Sequence, residues 1–171
     1  KWEAGLKYLF PLFAFALGVL IAEQIQHKYK YAKRLHWRQG ILGAEIIILF
    51  IVGFIPQRGN MIATVLVSFA CAMQVQSFRK VNGFSYASTM CIGNLRSGTA
   101  ALSFYLRERR PEQLRQAMYY LGIIVLFAIG AGIGGNLSAN YGIHMIWVSC
   151  GLLIVSFLLM FLDIEARRSR A

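Results

Sequence analysis

Residues 84–106 read FSYASTMCIGNLRSGTAALSFYL. The stretch is long enough to cross a bilayer, yet a Gly-Asn pair, an arginine and several hydroxyls interrupt it. Whether it crosses decides the side on which everything after it lies. The surrounding chain fixes the class. Of 171 residues, 57% are hydrophobic, and mean hydropathy is +0.54. Apolar runs at 8–25, 40–55, 61–78, 118–137 and 143–162 approach or reach the roughly 20 residues that span a hydrocarbon core. They predict an all-α, polytopic helical membrane protein: about five spanning helices plus a broken or re-entrant helical block. Pro11 is expected in the first turn of its run, where a missing N–H is tolerated.

Charge decides how the block is treated. The net charge is +11, and the basic residues cluster between apolar runs, as loops on the cytoplasmic side require. That patterning argues against nucleic acid as a partner. If 84–106 does not cross, one side holds five basic residues in 28–38, two at Arg79 and Lys80, four in 107–115 and three in 167–170. The other side holds Lys1, Lys7 and Arg58. If the block crosses, the last two groups change sides and the bias disappears. The positive-inside rule favours the first arrangement, with the C-terminus cytoplasmic and the block returning to the side from which it came. A break at or beside Gly93–Asn94 is expected, covered by protein or a wet cavity, because unpaired backbone groups in hydrocarbon are costly.

An internal repeat is legible. At an offset of 112, Tyr8, Leu9, Phe15, Ala16, Gly18 and Ile21 coincide with Tyr120, Leu121, Phe127, Ala128, Gly130 and Ile133. Another apolar run follows each copy. The charge-derived topology makes the copies antiparallel, the inverted pattern of many transporters. Residues 8–55 then end a first repeat and 61–162 form a second. In this reading 1–171 is a single transmembrane domain lacking the first helix and first motif block of its parent.

The run CAMQVQSFRKVNGFSYASTMCIGNLRSGT (71–99) resembles the YoaK-like family of bacterial multi-pass membrane proteins, a domain of unknown function. Met73–Gln74 match that family's Met-Gln pair at a helix end. Arg79, Lys80 and Gly83 fit its basic, glycine-bearing turn. Gly93–Asn94 match the last two residues of its Thr-Gly-Asn motif, while Ile92 stands where the threonine is expected. The resemblance covers essentially the whole chain. It implies the membrane class, a bacterial cytoplasmic membrane and the repeat; it implies no activity.

The candidate site residues are polar groups at membrane depth. Gly93 suits a positive φ or a close approach, and Asn94 offers amide donors and an acceptor. Arg96 reads as an interfacial arginine reaching headgroups, or as an anion clamp or gate. Glu45 is a proton or cation site, a partner for Arg96, or a carboxylate near the interface. Gln74 and Gln76 bond between helices or line a path, and Thr99 is a nearby hydroxyl. Gly122 and the GAGIGG run at 130–135 suggest close helix packing. Cys71, Cys91 and Cys150 read as small buried thiols. No nucleophile–base pair and no metal-ligand spacing stands out, so neither enzyme chemistry nor a cofactor is expected.

These features predict a transporter-like protein for a small, perhaps anionic solute, its site where Gly93, Asn94, Arg96 and Thr99 meet Glu45 and Gln74. The rival reading is a non-transporting membrane scaffold or assembly partner. The bilayer is the one partner the composition demands, and a homo-oligomer is compatible with it.

Overall fold

The structure, a computed structural model, describes residues 2–29, 37–81, 84–85 and 91–168. The described residues hold six α-helices: α1 (Trp2–Tyr29), α2 (Trp37–Val52), α3 (Asn60–Ser77), α4 (Cys91–Glu108), α5 (Pro111–Tyr141) and α6 (Ile146–Arg168). A short antiparallel ladder precedes α4, with β1 (Lys80–Val81) pairing to β2 (Phe84–Ser85). Helices dominate because a chain in hydrocarbon must pair every backbone N–H and C=O within itself.

The breaks follow local chemistry. Past α2, the N–H of Phe54 donates to the Ile51 carbonyl (3.1 Å) and that of Ile55 to the Val52 carbonyl (3.0 Å). These tighter i−3 bonds close the helix before Pro56, which leads through a 3-10 turn (Gln57–Gly59) into α3. Between α4 and α5, Arg109 takes a left-handed φ of 54° and its N–H donates to the Tyr105 carbonyl. Pro111 then opens α5, where its missing N–H costs nothing.

Three stretches are long and apolar enough to cross a membrane: Lys7–Tyr29, Gln57–Ser77 and Pro111–Leu162. The last, 52 residues long, holds α5 and most of α6, joined by a turn containing Gly142 (φ 73°). At 16 residues, α2 is shorter than these stretches. Large apolar side chains stand exposed along α1, α5 and α6, among them Leu12, Phe13, Leu126, Ile129, Leu152 and Leu159. Apolar surface on that scale needs lipid to cover it.

Two compact units make up the chain: Lys1–Ser77 with Ser138–Ala171, and Phe78–Leu137. In the first, α1 and α3 run parallel. Gly18 of α1 lies against Phe69 and Ala72 of α3, Ala22 packs with Met73, and further along Gln76 donates a hydrogen bond to Glu23. Antiparallel to α3 is α2: Arg38 Nε donates to the Ser77 carbonyl (3.1 Å), while Leu49 packs on Ala70. Antiparallel to α2 is α6: Trp147 Nε1 donates to the Phe50 carbonyl (3.3 Å), and Cys150 Sγ lies 3.9 Å from the Ile46 carbonyl. Hence α1, α3 and α6 point one way and α2 the other. One end of this unit gathers His27 and Lys28 in the last turn of α1, Arg38 of α2 and the end of α6. A cysteine-free background with single cysteines at Ala32 or Ser169 tests this: both are expected to label from the same face of a membrane vesicle. Labelling from opposite faces would overturn the helix directions.

Three expectations are corrected. Pro11 lies inside α1, not in its first turn, because the helix starts six residues before the apolar run. Its ring nitrogen has no hydrogen for the carbonyl of Lys7, four residues back. Around Gly93–Asn94, α4 runs unbroken from Cys91 to Glu108. The non-helical segment lies earlier, at β1 and β2; residues 86–90 are outside the described residues. One glycine in a helix costs only about 1 kcal/mol, which the flanking Cys91, Ile92 and Leu95 tolerate. Finally, a Cβ at Gly122, Gly130, Gly132, Gly134 or Gly135 would meet nothing within 4 Å, so the small-residue run of α5 makes no close packing among the described residues.

Candidate functional site

Glu45 is the residue that this fold treats most unusually. On α2, Ile41 and Leu49 lie one turn to either side of it, on the same helix face. Ile41 packs with Trp37, Ala22 and Met73; Leu49 packs with Ala70 and Cys150. Glu45 therefore faces α3 and α6, within electrostatic reach of Cys71 and Cys150. It is only 3% exposed, and its Oε2 has no hydrogen-bond partner among the described residues. An ionised carboxylate in such a place is expensive unless a proton, a cation or a donor from a solute meets it. Gln39, six residues earlier on α2, is also buried, its Nε2 without a partner among the described residues.

Gln74 is half-buried on α3 and makes no hydrogen bond among the described residues. Its neighbour Gln76 does bridge two helices, through Glu23, the packing role the sequence allows. Cys150 is buried, Cys71 and Cys91 are half-buried, and all three are free.

The other four candidates belong to the second unit. On α4, Asn94, Gly98 and Ala101 form the buried stripe, spaced as one helix face. Across from them stand Ala117 and Tyr120 of α5. The approach is tight: a Cβ on Gly98 would sit 2.9 Å from the Tyr120 Cβ, so glycine is required there. Beside this contact lies an open hollow of 310 Å³ lined by Ser97, Ala101, Phe104, Gln113, Gln116 and Tyr120. The Arg107 guanidinium covers the Phe104 ring at 4.8 Å. Gly93, Arg96 and Thr99 point away from the stripe and are exposed. Gly93 has neither a positive φ nor a close neighbour, against the expectation from its motif. Arg96 has no hydrogen-bond or ion-pair partner among the described residues.

Sequence reading singles out Asn94 and Glu45, both of which are buried, but misses Gln39, Gln113 and Gln116. The two α5 glutamines sit in a segment that charge alone marks as loop. The available signal was Pro111 followed by Glu112: a proline at the first helical position and an acid in the first turn announce a helix start, seven residues before the apolar run.

Long helices with apolar faces turned outward, and a carboxylate sealed among them, define a polytopic helical membrane protein. The chain belongs to the family described as Protein of unknown function (DUF1275), which it matches over residues 1–159, in keeping with the YoaK-like resemblance. No curated protein and no solved structure matches it.

Proposed function

We propose that the protein is transporter-like and moves a small, anionic solute across a bacterial cytoplasmic membrane, with Glu45 as the group that exchanges a proton or cation. The observation that carries this reading is the Glu45 carboxylate, buried on α2 with one oxygen unpartnered. A dry structural core has no use for such a group, whereas a site that binds and releases does. In the same reading the half-buried Gln74, on the helix that packs against α2, is an amide that meets the solute. The positive-inside bias places the C-terminus in the cytoplasm. In this reading the repeated runs at 8–25 and 120–137 belong to an inverted-repeat transporter.

The exposure of Gly93, Arg96 and Thr99 on α4 favours a second reading, in which that face docks a membrane partner and the protein is a scaffold. Uptake separates the two. Full-length protein in liposomes is expected to accumulate a small carboxylate from a labelled set, and Glu45→Gln to lower the rate at least about ten-fold, the loss of one essential charged contact. No uptake of any member by wild type, in correctly folded protein, favours the scaffold.

A further inference from the structure

A groove opens where the N-terminal ends of the parallel helices α1 and α3 part. It measures 310 Å³ and is lined by Lys7, Tyr8, Pro11, Asn60, Met61 and Thr64. Its walls are mostly apolar, and Tyr8 is 79% exposed beside it. Lys7 is also the first residue of an apolar spanning stretch, which sets the groove at the boundary between hydrocarbon and water.

Two of its polar groups, the Lys7 ammonium and the Asn60 side-chain amide, are uncommitted among the described residues. Lys7 has no ion-pair partner among the described residues. The Thr64 hydroxyl is spent on the Asn60 backbone carbonyl (2.7 Å), and the Asn60 side-chain amide has no partner among the described residues. The Lys7 carbonyl lacks its helical donor because Pro11 has no N–H. Arg58, exposed in the 3-10 turn, stands two residues before Asn60. Among the described residues, Lys7 is the one lysine or arginine that lines the groove, and Arg58 stands close to it in sequence through Asn60.

We propose that this groove binds an anionic phospholipid with a hydroxyl-bearing headgroup. The phosphate sits on the Lys7 ammonium and the Asn60 amide, with Arg58 adding charge. A headgroup hydroxyl donates to the Lys7 carbonyl, and the upper part of an acyl chain lies along Tyr8, Pro11 and Met61. An ammonium beside apolar walls matches a molecule that is anionic at one end and aliphatic at the other. The proposal stands on the membrane class alone and is independent of transport.

The test is local to the groove. p-Benzoylphenylalanine placed at Tyr8 of the full-length protein, in vesicles of equal phosphatidylglycerol and phosphatidylcholine, cross-links whatever lipid lies there, and mass spectrometry reads the adduct. Phosphatidylglycerol adducts are expected to exceed phosphatidylcholine adducts about five-fold, the effect of one lysine near an anionic headgroup. Lys7→Gln is expected to bring the ratio near one. Glu3→Gln, which removes the carboxylate nearest in sequence, is expected to keep or raise it. Equal adducts in wild type, or an unchanged ratio in Lys7→Gln, would overturn the site. Loss of the preference on adding millimolar inorganic phosphate would show a free anion, not a lipid, as its ligand.

Discussion

Gly18→Val is expected to destabilise the protein by about 3 kcal/mol, the upper part of the usual range for overpacking. A Cβ at Gly18 would meet the Phe69 carbonyl oxygen at 2.6 Å and the Ala72 Cβ at 2.8 Å. The first of these is backbone inside α3 and cannot rotate away. The two helices must separate, and with them the packing of Ala22 on Met73 and the Gln76–Glu23 bond. Close approach at small residues is a main source of helix association in lipid, where no hydrophobic drive remains between apolar helices. Gly130→Val is the control. It aligns with Gly18 in the repeat, yet a Cβ there meets nothing within 4 Å. Unfolding of both variants in graded denaturing detergent should show the first shifted strongly and the second close to wild type. Equal shifts would mean that the α1–α3 contact is not the one described.

Glu45→Leu is expected to abolish the proposed transport while leaving stability unchanged or raising it by about 1 kcal/mol. Burying a polar atom without a partner costs about 1–3 kcal/mol, and an apolar replacement of similar shape removes that cost. Leucine fits between Ile41 and Leu49, beside Ala70 and Cys150. A carboxylate that held the bundle together would behave in the opposite way, because removing one member of a satisfied buried pair leaves the other stranded. Thermal unfolding in mild detergent, run beside the uptake assay, reads both quantities. A fall of more than about 2 kcal/mol would assign Glu45 a structural role.

The legible part of the fold follows from the solvent. In hydrocarbon, a long apolar run has few alternatives to a helix, so the runs at 8–25, 61–78, 118–137 and 143–162 each lie within α1, α3, α5 and α6 with small end shifts, and 40–55 is mostly α2. Charge patterning expects the basic loops and the tail on one side; within the first unit α6 runs in the same direction as α1. The misreadings have a common cause. Gly93–Asn94 looks like a break because glycine and asparagine are poor helix formers, but one weak turn is outweighed by the 18 residues of α4 that propagate through it. Pro11 falls in the first turn of its apolar run but not of its helix, because the polar helical turns at the starts of α1 and α5 carry no apolar signal. The GAGIGG run shows the complementary gap: composition reveals that a face can approach another helix, not whether one is there.

For the site, sequence could identify Glu45 and Asn94 as costly residues at membrane depth. Ile41 and Leu49, which seal Glu45 on its face, are indistinguishable from any other apolar pair until α3 and α6 are set against α2. Arg96 carries a full charge in the block, yet helical geometry turns it about 200° from Asn94, two residues away, and out of the buried stripe.

The most direct test of the central claim is solute-driven proton movement in sealed liposomes holding the full-length protein and a trapped pH-sensitive dye. With no initial pH difference, adding the transported carboxylate outside should acidify or alkalinise the interior in wild type, while Glu45→Gln shows no pH change beyond that of protein-free vesicles. A Glu45→Gln signal equal to wild type would contradict the assignment of Glu45 as the exchanging group.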